Sequence, residues 1–174
     1  MPSPVGHALA GLAIHLAAAR DRWAAWDVAA AGITVGAALA PDLDLVLKLV
    51  DGRNHHQGGS HSLIAAAAAA AAVWMVAASR RWDRPARLGA LAGLGWLSHL
   101  LLDYLGKDTH PPIGLPLLWP FVEGYFKFPW PVFLDVGRTL DLTTLVHDVV
   151  AVAWELIVLS PIPALIYRRR LRAP

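Results

Sequence analysis

Imidazole and carboxylate side chains recur at four separated places along the 174-residue sequence. Because the chain contains no cysteine, His, Asp and Glu are the only strong ligands that it can offer a transition metal. A mixed imidazole and carboxylate set suits zinc, manganese or iron better than magnesium or calcium. We therefore predict a site for one or two divalent ions, with zinc the preferred metal. The candidate ligands are His7, Asp42, Asp44, His55, His56, His61, His99 and Asp103.

The spacing of these residues favours metal binding. His99 and Asp103 are four residues apart, so on a helix they share one face and can reach the same ion. Asp42 follows Pro41, which cannot donate a helical hydrogen bond and favours a break in the helix. The pair Gly58-Gly59 allows the chain to turn sharply and to bring His61 back towards the other ligands.

Each candidate also has a simpler interpretation. Asp42 after a proline can merely cap a helix end, and His99 with Asp103 can form a hydrogen-bonded pair. His55 fits a solvated loop, and His7 fits an interfacial position. Four separate segments would, however, each have to place metal-compatible groups on one side of the protein by chance, and we therefore favour the metal site.

The elements that must position these residues are apolar. Apolar residues make up 56% of the chain and charged residues 16%, compared with about 45–50% and 25% in soluble domains. A helix that crosses the hydrocarbon needs about 20 residues, so segments two, four and five are long enough and segments one and three are short. We predict an all-α, polytopic transmembrane bundle of about five spans, which forms a single domain over residues 1–174. The segments are approximately 6–19, 28–49, 62–78, 86–105 and 142–167.

Two further features complete the predicted architecture. A loop at residues 106–141, rich in proline and aromatic residues, separates spans four and five and suits the membrane interface or a position over the site. The small residues of spans three and four, including the run Ala65–Ala72, suit close contacts between helices, although compositional bias alone can produce such a run.

The basic residues predict how the chain is oriented. With five spans, ten of the 15 basic residues fall on one side, which the positive-inside rule assigns to the cytoplasm. The N-terminus is then outside, the C-terminus is cytoplasmic, and the candidate ligands lie near the outer surface. The basic residues on the cytoplasmic side are Arg20, Arg22, Arg80, Arg81, Arg84, Arg87, Arg168, Arg169, Arg170 and Arg172. Those on the outer side are Lys48, Arg53, Lys107, Lys127 and Arg138.

Four ionisable residues remain open, namely His15, His55, Asp148 and Glu155. Glu155 falls well within the last span, where a carboxyl group needs a partner. It can reach groups behind the metal site or form a purely structural pair.

Short motifs in a defined order resemble the bacterial family of inner-membrane metal-dependent hydrolases, one branch of which is described as LexA-binding. The resemblance covers roughly residues 5–125 and implies a multi-pass helical protein with a hydrolase-like metal site. It implies six metal ligands: His7, Asp42, His56, His61, His99 and Asp103. The motifs are Pro41-Asp42-Leu43-Asp44, His56-Gln57-Gly58-Gly59-Ser60-His61-Ser62, Ser98-His99-Leu100-Leu101-Leu102-Asp103 and Gly114-Leu115-Pro116-Leu117-Leu118-Trp119-Pro120-Phe121.

One departure from the family pattern concerns Gln57, because the family usually carries His-Arg-Gly where this chain has His56-Gln57-Gly58. If that arginine helps to bind an anionic group, this function is either weakened here or supplied by Arg53 or Lys107. The order of His and Asp is also loosely similar to that of the zinc-dependent phospholipases C and single-strand nucleases, which suggests a phosphoester substrate.

We therefore expect a membrane-bound hydrolase that acts on a phosphoester or lipid-linked substrate at the outer interface. Asp42 is expected to bind the ion, and Asp44 to act as a general base or as a ligand of a second ion. The alternatives are a metal or proton transporter and a non-enzymatic membrane scaffold. The net charge of +2 gives no reason to expect a nucleic-acid partner, and the oligomeric state is left open.

Overall fold

The computed structural model describes residues 1–19, 27–52, 56–137, 139 and 141–172. This part of the chain is helical, without a strand, which confirms the predicted all-α class. The α-helices are α1 (Pro4–Ala18), α2 (Val28–Leu39), α3 (Asp44–Asp51), α4 (Leu63–Ser79), α5 (Pro85–Leu105), α6 (Leu142–Leu159) and α7 (Pro161–Arg172). Two short 3-10 helices cover Ala40–Leu43 and Gly59–His61.

Three helical stretches in the described residues are long and apolar enough to cross a membrane: Val28–Val46, Pro85–Leu105 and Leu142–Arg169. These are the segments that the sequence predicts as full spans. The apolar helices Pro4–Ala18 and Leu63–Ser79 are shorter, also as predicted. The last span consists of α6 and α7, and the helical path continues across the joint because the Ser160 N–H donates to the Leu156 carbonyl.

Side-chain caps define where several helices begin. Ser3 accepts from the N–H groups of the first turn of α1, and Ser62 accepts from Ala65 N at the start of α4. Asp141 caps α6 in the same way through Thr144 N. Each cap satisfies an N–H group that has no partner within its own helix.

The centre of the bundle is α5, which packs against α1, α2 and α4 through small residues. A Cβ on Gly93 would lie 3.0 Å from the Cβ of Ala70 in α4. A Cβ on Gly95 would collide with the Thr34 carbonyl of α2. The backbones therefore approach closely, as expected where lipid provides no hydrophobic reason for helices to associate.

The predicted proline-rich and aromatic loop connects α5 to α6 and is hydrogen-bonded to the ends of the bundle. Leu63 N donates to Leu117 O at the start of α4, and Phe128 N donates to Tyr104 O at the end of α5. The loop nevertheless leaves large apolar side chains uncovered, with Phe121 81% and Trp130 75% exposed. This exposure fits a loop that lies at the membrane interface.

The close contact at Gly95 generates a stability prediction. Gly95→Ala should lower the free energy of unfolding by about 1–3 kcal/mol, because the new methyl group must push α2 away from α5. Gly36→Ala is the matched control, since a Cβ there meets nothing within 4 Å. Thermal unfolding in detergent micelles measures both, and equal midpoints for the two variants would contradict the packing described here.

Candidate metal centre

Four predicted ligands converge near the end of α5. Each of them offers one ligand atom, and the four atoms lie within 4.8 Å of one another. They come from three parts of the chain: the 3-10 helix after α2, the 3-10 helix before α4, and α5 itself. The four residues are Asp42, His61, His99 and Asp103.

The separations between these atoms fit a single ion. His61 Nε2 and His99 Nε2 are 3.2 Å apart, and His99 Nε2 lies 3.0 Å from Asp103 Oδ2. Asp42 Oδ1 is 3.7 Å from His61 Nε2 and 3.6 Å from His99 Nε2, and the Asp103–His61 separation is 3.5 Å. Zinc–ligand bonds of about 2.0–2.1 Å in a tetrahedron place neighbouring ligand atoms about 3.3–3.4 Å apart. The arrangement therefore suits a tetrahedral site with two nitrogen and two oxygen ligands.

Local structure explains how the sequence brings these atoms together. Pro41 cannot donate to the helical ladder, and α2 gives way there to the 3-10 helix Ala40–Leu43 that carries Asp42. This is the predicted break. His99 and Asp103 lie one turn apart on α5, as their spacing requires. His61 ends the 3-10 helix that follows Gly58, and its backbone N–H donates to the Gly58 carbonyl.

Hydrogen bonds behind the two imidazoles orient them for metal binding. His99 Nδ1 donates to the Ala38 carbonyl at 2.9 Å, which leaves the Nε2 lone pair directed at the cluster. His61 Nδ1 lies 3.3 Å from Asp44 Oδ2, and Ser60 Oγ donates to the same carboxylate oxygen at 2.7 Å. Such carboxylate–histidine and carbonyl–histidine pairs fix the ring orientation of metal ligands.

Burial means that the negative charge of Asp103 must be compensated at this point. The side chains of His61, His99 and Asp103 are 0% exposed. Neither oxygen of Asp103 accepts a well-formed hydrogen bond from the described residues. A buried carboxylate without a hydrogen bond is costly unless a cation or a proton compensates it.

The pKa of His61, which lies outside the candidate spans, responds to the negative charge of the neighbouring carboxylates. Burial opposes its protonation, but the carboxylates of Asp42 and Asp44 outweigh burial and raise the pKa of His61 to about 9. A divalent ion bound at Nε2 would take the place of this proton.

A second group of candidate ligands adjoins the first and consists of Asp44, His56 and His61. His56 Nδ1 lies 2.9 Å from Asp44 Oδ1 and 3.9 Å from Asp42 Oδ1. His56 Nε2 faces the sulfur of Met1 at 3.1 Å. The group can hold a second ion, or it can act as the support that orients His61.

His7 lies beside the four-residue cluster rather than within it. Its Nε2 atom is 3.4 Å from Asp103 Oδ1, and its ring stacks on that of His99 with centroids 3.9 Å apart. Neither ring nitrogen has a hydrogen-bond partner among the described residues. His7 therefore lies close enough to Asp103 to influence the position of its carboxylate. The assignment of His7 as a metal ligand stays a prediction.

The remaining predictions divide into those that the structure locates and those outside it. His55 and Arg53 lie outside the described residues. Gln57 donates to Asp108 Oδ2 at 2.6 Å and so ties two loops together instead of facing the cluster. Lys107 Nζ lies 3.6 Å from Asp135 Oδ1. Neither the glutamine nor this lysine is among the groups that converge on the candidate metal centre.

Sequence reasoning missed the supporting roles of Ser60 and Asp108. Ser60 directly precedes His61 and contacts both Asp44 and the His61 ring, so its position in Gly59-Ser60-His61 was the available signal. Asp108 is buried and also accepts from Gly114 N at 2.8 Å. No pattern in the sequence indicates the contact between Asp108 and Gly114, because it depends on how the loop folds back on itself.

Fold and site together define a multi-pass helical membrane protein with a candidate divalent-metal centre near one end of its bundle. The chain belongs to the YdjM inner membrane protein family, whose family model matches residues 1–170. No curated protein and no solved structure matches the chain. Family membership confirms the inner-membrane part of the resemblance.

Loss of a ligand should abolish metal binding. We expect His99→Ala and Asp103→Asn each to lower affinity for zinc by more than about 100-fold, beyond the 10–100-fold typical of losing an orienting partner. His147→Ala is the control, because the His147 ring contacts Asp135 and is not among the converging ligands. Elemental analysis and competition with a chelating dye measure the effect, and full metal content in both cluster variants would refute the site.

The His61 environment predicts a pH dependence. Below pH about 9 the metal-free imidazole carries a proton that the ion must displace, so apparent zinc affinity should rise up to about tenfold per pH unit between pH 6.5 and 8.5. The metal-free protein should do the opposite: the stabilisation from this raised pKa is complete below about 6.5 and is lost as the pH rises through about 9. Dye competition and thermal unfolding measure the two trends, and a flat affinity profile would contradict this assignment.

Proposed function

We propose that this inner membrane protein is a metal-dependent hydrolase that acts on a phosphoester or lipid-linked substrate at the outer membrane interface. The observation that carries the proposal is the buried convergence of two imidazoles and two carboxylates, with both imidazoles oriented from behind. A divalent ion in such a site supplies a Lewis acid and lowers the pKa of its bound water to about 7.

The exposure of the cluster supports a catalytic rather than a structural site. A catalytic ion needs a position for water beside its protein ligands, so an ion held by these four residues must become five-coordinate or exchange Asp42 for water. The Asp42 side chain is 22% exposed, while the side chains of His61 and His99 are fully buried. Asp42 also borders a cavity of about 310 Å³ whose walls include Leu45, His56, Asp108 and Val136. A substrate would therefore approach the cluster from the side of Asp42.

The two aspartates have different roles in this proposal. Asp42, the exposed carboxylate, would hold the ion on the side from which water and substrate approach. Asp44 is held by Ser60 and His56, so its first role is to orient His61 and to stabilise positive charge on that ring. It remains our candidate for the general base, or for a ligand if a second ion binds between Asp44 and His56. Zinc is the proposed ion, with manganese or iron as alternatives, because the ligands combine imidazole and carboxylate.

The depth of the cluster supports a lipid-linked substrate. His99 lies 14 residues along α5 from Pro85, which corresponds to about 21 Å at a rise of 1.5 Å per residue. The hydrocarbon core is about 30 Å thick, so the cluster lies closer to the far interface than to the arginine-rich end of α5. The positive-inside rule makes that far interface the outer one, with the N-terminus outside and the C-terminus in the cytoplasm.

Hydrolysis should depend on the cluster and on the cavity beside it. With detergent-solubilised protein, zinc and an anionic phospholipid, His99→Ala should reduce phosphate-ester cleavage to background. Leu45→Trp should fill the cavity and lower kcat/KM at unchanged metal content, because Leu45 lines the approach to Asp42. His147→Ala again serves as the control. A soluble phosphodiester tested in parallel separates a general esterase from a lipid-specific one.

A metal transporter predicts a different result from that of a hydrolase. Metal uptake into liposomes without turnover of any phosphoester would favour the transporter. The groups that could extend a transport path are His15, Asp148 and Glu155. Of these, Glu155 is already hydrogen-bonded to Ser3 and Gly6, which argues for the enzyme. Unchanged phosphoester cleavage in His99→Ala would overturn the proposed hydrolase.

A further inference from the structure

Glu155 is a fully buried carboxylate in the last span that the proposed reaction does not use. It belongs to α6, yet its hydrogen bonds are with the start of α1. Ser3 N donates to Oε1 at 2.7 Å, Gly6 N donates to Oε2 at 3.1 Å, and the Ser3 hydroxyl also donates to Oε2. An ionisable group within a span is expensive and calls for an explanation.

The position of these donors explains why a carboxylate is favourable there. The first N–H groups of a helix have no partner within the helix, and the N-terminus carries a partial positive charge. Ser3 and Gly6 belong to this region of α1, so Glu155 caps α1 from a neighbouring helix. The carboxylate thereby fixes the depth of α1 relative to the last span.

The depth of α1 matters because His7 follows Gly6 directly. His7 stacks on His99 at 3.9 Å and faces Asp103 at 3.4 Å, and it reaches both from the first turns of α1. A shift of α1 along its axis by one turn would move the imidazole by about 5.4 Å and separate it from both residues.

We propose that Glu155 is a positioning residue of the metal centre: by capping α1 it holds His7 against Asp103 and His99. The inference rests on the proposed metal centre and adds a residue from the last span, which supplies none of the four converging ligands. Gly6 belongs to the same contact between Glu155 and α1. A Cβ at Gly6 would lie 2.7 Å from Glu155 Oε2, so a side chain there would displace the carboxylate.

The test compares two variants that disturb this contact by different means. Glu155→Gln keeps the size of the side chain but removes one acceptor, and Gly6→Ala pushes the carboxylate away without changing charge. Asp141→Asn is the matched control, because it also removes one oxygen from a carboxylate that caps a helix, and the partners of Asp141 are Thr139 and Thr144 at the start of α6. The probe is Co²⁺, whose visible absorption reports ligand geometry, together with competition by zinc.

The inference predicts a shared change in Glu155→Gln and Gly6→Ala. Both should alter the Co²⁺ spectrum in the same way and weaken zinc binding by about 10–100-fold, and the double variant should add little to either. Asp141→Asn should leave the Co²⁺ spectrum and the zinc affinity at wild-type values. The melting temperature of each metal-free variant is recorded as well, since simple loss of a helix cap lowers stability only.

Each outcome decides a different question. A lowered melting temperature with an unchanged Co²⁺ spectrum and affinity would show that Glu155 is only a cap, which would overturn the inference and leave the metal centre intact. Wild-type protein that binds neither Co²⁺ nor zinc would instead overturn the metal centre itself. If Glu155→Gln does not fold, Gly6→Ala decides by the same spectrum, with a wild-type spectrum counting against the inference.

Discussion

The carboxylate of Asp103 imposes the constraint on which the rest of this structure depends. It is buried at the end of α5 with His7 on one side and His61 and His99 on the other. A negative charge in such surroundings requires a compensating positive charge at short range. The imidazoles alone supply it only when protonated, whereas a divalent ion satisfies Asp103 and the lone pairs of both Nε2 atoms at once.

The bundle is organised to deliver ligands to this point. Gly95 allows α2 to approach α5 so closely that the carbonyl of Ala38 reaches His99. The same helix then breaks at Pro41, which turns Asp42 into the cluster. The packing contact at Gly95 therefore sets the orientation of His99, and the helix break at Pro41 sets the position of Asp42. The positions of Asp42 and His99 are thus set by helix packing.

The outer elements contribute support rather than ligands. Asp44 and Ser60 hold His61, Glu155 holds the start of α1, and Gln57 ties its loop to Asp108. These polar pairs are satisfied by one another, unlike the carboxylate of Asp103. The contrast between these satisfied pairs and the carboxylate of Asp103 is the physical basis for placing a candidate metal centre at this point.

The sequence by itself determined the helical class, the three helices long enough to span a membrane, the two shorter apolar helices, the break at Pro41 and most of the cluster. These features follow from local rules: apolar length, the missing N–H of proline, and the i, i+4 spacing of His99 and Asp103. Only the tertiary structure decided that Asp44 stands behind His61, that His7 lies beside the four ligands, and that Glu155 caps α1. These relations depend on how separate helices are placed in depth and rotation, and no local pattern encodes the distance between residues 3 and 155.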